Sequence, residues 1–343
     1  MATTARRKER LHELDALRGI GALAVMLFHY STRFHQMFPQ ARHVPFDFVS
    51  GNYRVLLFFV ISGFAIFFSL DHVRCPADFV VNRVSRLFPA YWVALMLTLG
   101  FEYAADIRSL EIPPVEVLAN FTMMEGFLFL HMVDGAHWTL TVELGFYASI
   151  LFLWMTGATR RLEYWLIAWL GLRWFWLLMF VDMPERIIML TVLRFVPFFV
   201  IGMALGRIWN GQRRWTQQVH VLGFAMLTLA MFETWDIVLA GAILIAIFTA
   251  MMTGRLRWIC ARPLLWVGSI SYSLYLVHQN IGFVIMLMCS RWGLNPWVGF
   301  AVAVLTAFAL GYTLNRFVER PAQRAIDRWW KGRQARDKAP VAA

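Results

Sequence analysis

The chain has 343 residues, of which 59% are hydrophobic, 16% aromatic and only 15% charged. Soluble domains carry about 25% charged residues, so the composition excludes a disordered or collagen-like chain and points to a membrane protein. Three cysteines exclude a disulfide scaffold, and the net charge of +11 leaves two explanations, nucleic acid or a membrane surface.

A span needs about 20 mainly apolar residues. Taken in chain order, ten stretches qualify: 14–33, 53–71, 87–105, 138–156, 164–181, 187–206, 219–235, 237–253, 264–289 and 297–317. The sequence therefore predicts an all-α, polytopic membrane protein with about ten transmembrane helices. With the N-terminus in the cytoplasm, the inner segments hold 24 of the 32 basic residues. The outer loops hold six: Arg33, Arg42, Arg54, Arg108, Arg186 and Arg291. Arg173 and Arg194 fall inside predicted spans. Lys and Arg favour cytoplasmic loops, so both termini are expected inside, and nucleic acid becomes the weaker account of the charge. The long outer segment 106–137 contains an apolar piece, 115–130, broken by Glu116, Asn120, Glu125 and Gly126; it reads as interfacial or re-entrant. Residues 1–317 form the expected membrane domain. Residues 318–343 form a short basic cytoplasmic tail, helical from Glu319 to Trp330.

Ionisable groups inside spans are costly and mark functional sites by default. His29, Glu143, Arg173, Arg194 and His278 are such groups. At a rise of about 1.5 Å per residue, His29 lies about 22 Å above the inner boundary and His278 about 21 Å. The same rise puts Glu143 about 8 Å below the outer face. Three helices thus carry a titratable group to similar depth, although each group is also compatible with a simple buried helix contact. A histidine acting as base needs an orienting partner, and Glu143 is the expected one for His29. Arg18 lies eleven residues before His29 on the same helix face, near the inner boundary. Arg83 and Arg86, three apart on the inner side, share a face and suit a phosphate clamp. Tyr275 and His278 share another face. Trp138 and Trp297 read as interface anchors, and Gly63, Gly268, Ser269, Ser271 and Ser273 as small residues for close helix packing. No metal-binding spacing is present.

These residues resemble the acyltransferase-3 family of integral membrane acyltransferases. The likeness begins with Leu14-Asp15-Ala16-Leu17-Arg18-Gly19-Ile20 and runs on to His29, an Arg and a His with ten residues between. It continues through Phe58-Phe59-Val60-Ile61-Ser62-Gly63-Phe64, Arg83-Val84-Ser85-Arg86-Leu87-Phe88-Pro89 and Trp138-Thr139-Leu140-Thr141-Val142-Glu143. It closes with Ser271-Tyr272-Ser273-Leu274-Tyr275-Leu276-Val277-His278 and Phe317-Val318-Glu319-Arg320-Pro321. Ala16, where Gly is common, and Gln279-Asn280 after the histidine depart from the pattern.

The resemblance implies an O-acyltransferase that moves an acyl group, usually acetyl, from cytoplasmic acyl-CoA to a hydroxyl of an extracytoplasmic glycan. His29 is then the base or acyl relay and Glu143 its partner. Arg18, Arg83 and Arg86 would hold acetyl-CoA, and Tyr275, His278, Arg173 and Arg194 are the substrate-binding candidates. Location in a bacterial cytoplasmic (inner) membrane follows from the same likeness. With only a short tail after the last span, the acceptor is expected to meet the membrane domain directly, as a lipid-linked exopolysaccharide or lipopolysaccharide unit. The competing class is a transporter or flippase for an anionic metabolite or glycan, which would also have ten spans and buried charges. It would leave the Arg pair unexplained.

Overall fold

The computed structural model describes residues 11–49, 53, 55–70, 73–180 and 182–337. The first basic residues, Arg54 and Lys338 lie outside them. Helices account for every regular element among the described residues. They are α1 His12–Phe28, α2 Phe34–Met37, α3 Val55–Leu70, α4 Pro76–Ala105, α5 Pro114–Asn120, α6 Trp138–Met155, α7 Leu162–Leu178 and α8 Glu185–Leu190. After them come α9 Val196–Trp209, α10 Trp215–Phe232, α11 Trp235–Met252, α12 Arg262–Val277, α13 Gln279–Arg291, α14 Pro296–Leu314 and α15 Arg320–Asp337.

Each of the ten predicted stretches is largely helical, with boundaries that differ by a few residues. By length and apolar character four described helices can cross a membrane, or five when the bent pair α12–α13 is taken as one. The stretch 187–206 is not one helix. It breaks at 191–195 and restarts at α9, whose opening turn contains Pro197, a residue that lacks the amide hydrogen a continuing helix would need. The piece 115–130 forms only the short α5 followed by turns, not a span.

Two helix pairs form the centre, α3 with α9 and α1 with α12. Both crossings are backbone on backbone. A Cβ at Gly268 would overlap the Asp15 carbonyl, and one at Gly202 would overlap the Val60 carbonyl. Helices surrounded by lipid gain little from hiding apolar surface from one another, so close van der Waals contact through small residues holds them together.

Three irregularities interrupt these helices. Residues His29–Arg33 continue α1 as a π-helical turn, and Asn315–Glu319 joins α14 to α15 in the same way. Between α12 and α13 the chain bends by 67° at His278. The loops gather at two ends of the bundle. At one, Arg42 donates to Ser290 and Gly293, Arg291 to the Ala105 carbonyl, and Arg173 pairs with Glu233. At the other, Glu163 pairs with Arg207 and Arg213, and Asp78 accepts from Trp330 and Gln334.

Candidate active site

His29 and His278 meet. Their rings stack with centroids 4.9 Å apart, and His29 Nδ1 lies 2.7 Å from His278 Nε2. The other nitrogen of His278, Nδ1, sits 2.7 Å from the Tyr275 carbonyl oxygen. A carbonyl only accepts, so His278 Nδ1 carries the hydrogen, and in a neutral ring Nε2 is then an acceptor. His29 must therefore donate through Nδ1, which leaves the lone pair on its Nε2 for a reactant. A π turn begins at His29, whose own amide still bonds the Val25 carbonyl as in a regular helix; such turns recur at functional sites. Tyr30, fully buried, donates to the His278 carbonyl at 2.6 Å, and its ring occupies the space a Cβ on Gly282 would fill.

The bend that presents His278 has its own supports, all buried. Asp134 Oδ2 accepts from the Asn280 amide at 3.0 Å, satisfying a donor that the start of α13 leaves free. The Asn280 side chain donates to Glu102 at 2.8 Å and to the Val133 carbonyl at 2.7 Å. The departure at Gln279-Asn280 is thus a structural prop. Asp134 and Glu102 escaped the sequence reading because an acid in a loop and one near a helix end look like ordinary surface residues.

Glu143 is not the partner of His29. Its Oε1 accepts from Ser62 at 2.9 Å and from Tyr147. The reason is rotational: α1 turns His29 toward the α12–α13 bend, while α6 turns Glu143 toward Ser62 on α3. Ser62 in the apolar run Phe58–Phe64 was the available signal for this contact. Glu143 instead lines a cavity of about 80 Å³ together with Arg18, Phe58, Arg86, Tyr272 and Tyr275. Arg18 also pairs with Asp15 at 3.5 Å. Tyr275 donates to the Ala136 carbonyl at 2.6 Å and contacts Thr139 at 2.7 Å, fixing one wall.

Arg83 and Arg86 do not form an exposed clamp. Arg83 is buried, its guanidinium 4.4 Å from the Tyr147 ring centre and 5.1 Å from that of Phe79. Its Nε and one Nη have no hydrogen-bond partner. Arg86 faces the cavity, with Glu143 and Glu319 among its electrostatic neighbours. Glu319 lies on the second π turn and accepts from Ser273 at 2.6 Å and Asn315 at 2.8 Å, so Ser273 does more than provide a small contact.

Arg173 and Arg194 lie away from the histidines. Both pair with Glu233, at 2.9 Å and 3.7 Å, and Arg173 also covers the Phe232 ring at 4.4 Å. Trp138 is no simple interface anchor; it packs on Phe195 and Phe59 inside the bundle. Cys75, Cys260 and Cys289 are free thiols. No group of three His, Cys, Asp or Glu among the described residues could hold a metal ion.

The family model for the acyltransferase-3 group, described as an acyltransferase domain, matches residues 11–316. Two curated relatives align over most of their own length and of this chain. The exopolysaccharide production protein ExoZ of Rhizobium meliloti (strain 1021) is 27% identical over 84% of this chain and 94% of its own length. Nodulation protein 10 of Rhizobium leguminosarum bv. viciae is 25% identical over 91% and 93%. No solved structure matches. The chain belongs to the acyltransferase-3 family.

Proposed function

We propose that this acyltransferase moves a short acyl group, acetyl, from acyl-CoA on the cytoplasmic side to a hydroxyl of a lipid-linked glycan presented across a bacterial cytoplasmic membrane. The name of one relative, an exopolysaccharide production protein, supports a polysaccharide acceptor. The observation that carries the reading is the cavity that joins Arg18 and Arg86 to Glu143 and Tyr275, with the His29–His278 pair beside it.

The residues suit a phosphate-bearing donor. Two guanidinium groups line the cavity, and a third, Arg83, is buried with donors to spare; an anion would satisfy them. The cavity is small, about 80 Å³, which suits an acetyl group better than a long chain. The bound thioester supplies an activated carbonyl. His29 Nε2 takes the proton of the acceptor hydroxyl as its oxygen bonds to that carbonyl. The C–O bond forms, the C–S bond breaks, and the thiolate leaves with the proton that His29 has collected. His278 stabilises the transient imidazolium by accepting the His29 Nδ1 hydrogen. Glu143 offsets the positive charge of Arg18 and Arg86 and fixes Ser62 and Tyr147.

The test is transfer of radiolabelled acetyl from acetyl-CoA to lipid-linked saccharides extracted from a strain lacking the gene. His29→Ala should abolish it with the fold intact, and Arg18→Ala or Arg86→Ala should raise the KM for acetyl-CoA. A His29→Ala enzyme working near the wild-type rate refutes the chemistry.

A further inference from the structure

A second cavity, about 510 Å³, opens at the opposite end of the bundle from Arg83. It falls in the range of small-ligand sites. Its walls come from the start of α3, the 121–134 loop, the first turns of α6, α8, the 191–195 turn and the break before α11. Val55 lines both this cleft and the smaller cavity, and residues of α6 alternate between them: Trp138 and Val142 face the cleft, Thr139 and Glu143 the cavity. One thin partition therefore separates the two spaces.

The chemistry of the cleft is mixed in a particular way. Trp138 and Phe195, with ring centres 5.2 Å apart, make an aromatic wall, and Phe129 adds a third ring. Facing the same space are the Arg194 guanidinium and the carboxylates of Glu185 and Glu233. Glu233 is held at 2.9 Å by Arg173, whereas Arg194 stands 3.7 Å away with a side chain 61% exposed, so its donors remain available. Two residues of the wall hold left-handed backbone, Phe129 at φ 57° and Val192 at φ 49°. That conformation is unfavourable for a β-branched valine, and strain of this kind persists where the surrounding structure fixes a site.

We infer that this cleft binds the saccharide unit bearing the acceptor hydroxyl, with the sugar's C–H face on Trp138 and Phe195 and its hydroxyls on Arg194 and Glu185. The inference rests on the acyl-transfer reading. A saccharide ring has an apolar C–H face that packs on aromatic rings and vicinal hydroxyls that a guanidinium and a carboxylate bind in pairs. A lipid chain would gain nothing from the charged groups. The hydroxyl crosses the Val55 partition to the thioester, so donor and acceptor enter from opposite ends.

The experiment uses the full-length enzyme in detergent with labelled acetyl-CoA and the lipid-linked saccharide extract. Arg194→Gln leaves Glu233 paired with Arg173, and Glu185→Gln changes an exposed residue, so both should melt within a few degrees of wild type. Each should raise the KM for the saccharide about tenfold, the loss of a hydrogen bond to a charged group, with the KM for acetyl-CoA within twofold. If wild type transfers acetyl and both folded variants keep the wild-type saccharide KM, the cleft is not the acceptor site. If wild type transfers no acetyl, the acyl-transfer reading itself fails. Should Arg194→Gln not fold, Glu185→Gln alone decides between these results.

Discussion

Glu125 gives the sharpest stability prediction. It lies between α5 and α6, outside the spanning helices, is fully buried, and neither carboxylate oxygen has a hydrogen-bond partner. Burial pushes its carboxyl up from 4.5 to about 7. Because the folded form holds a proton that the unfolded chain releases, its contribution is complete below about pH 4.5 and is lost as pH rises through 7. A shift of about 2.5 units at about 1.4 kcal/mol per unit limits the loss to about 3 kcal/mol above pH 8. Glu125→Gln cannot ionise and escapes that loss. Melting in detergent, followed by tryptophan fluorescence from pH 5 to 9, should show a variant that equals or falls below wild type at pH 5, gains on it between pH 5 and 7, and holds a constant lead above pH 8. A difference in Tm that stays constant across the range refutes a neutral buried carboxyl.

Three further outcomes follow from the contacts. His29→Ala and His278→Ala should each lower the transfer rate by at least about 10²-fold, and the double variant should be no slower than the worse single one, since the rings act as a unit; multiplicative losses in the kinetics would show independent roles. Gly268→Ala drives a methyl group into the Asp15 carbonyl and should cost about 1–3 kcal/mol or more in thermal unfolding. Gly100→Ala, where a Cβ meets nothing within 4 Å, should be neutral or slightly stabilising, so equal effects would contradict the crossing geometry. Asn280→Ala removes a partner of buried Glu102 and should destabilise by about 1–3 kcal/mol while slowing transfer, with the KM for acetyl-CoA unchanged in steady-state assays.

The family and the two histidines were legible because they lie in contiguous motifs. Depth was legible too: a constant rise per residue puts His29 and His278 at one level, and the structure brings them together. Rotation about the helix axis was not. Glu143 has the right height but faces Ser62. Arg83 and Arg86 do share a helix side, yet the sequence could not show that Tyr147, from another helix, would cover one of them. The shape of one predicted span was hidden for the same reason. Hydropathy sees an apolar run at 264–289, while the 67° bend within it depends on Asp134 and Glu102 from elsewhere in the chain.

Asp78 ties the end of the chain to the start of α4. Its Oδ2 accepts from the Arg74 and Cys75 amides at 2.9 Å and 3.1 Å, while Oδ1 accepts from Trp330 at 2.7 Å and from Gln334. Arg83 and Arg86 sit one and two turns further along that same helix. Shortening the protein to residue 317, where its apolar character ends, would therefore cut a brace that steadies the guanidinium groups rather than trim an idle appendage. Affinity tags belong at the N-terminus, and a protease that clips α15 should be felt at the cavity that Arg86 lines.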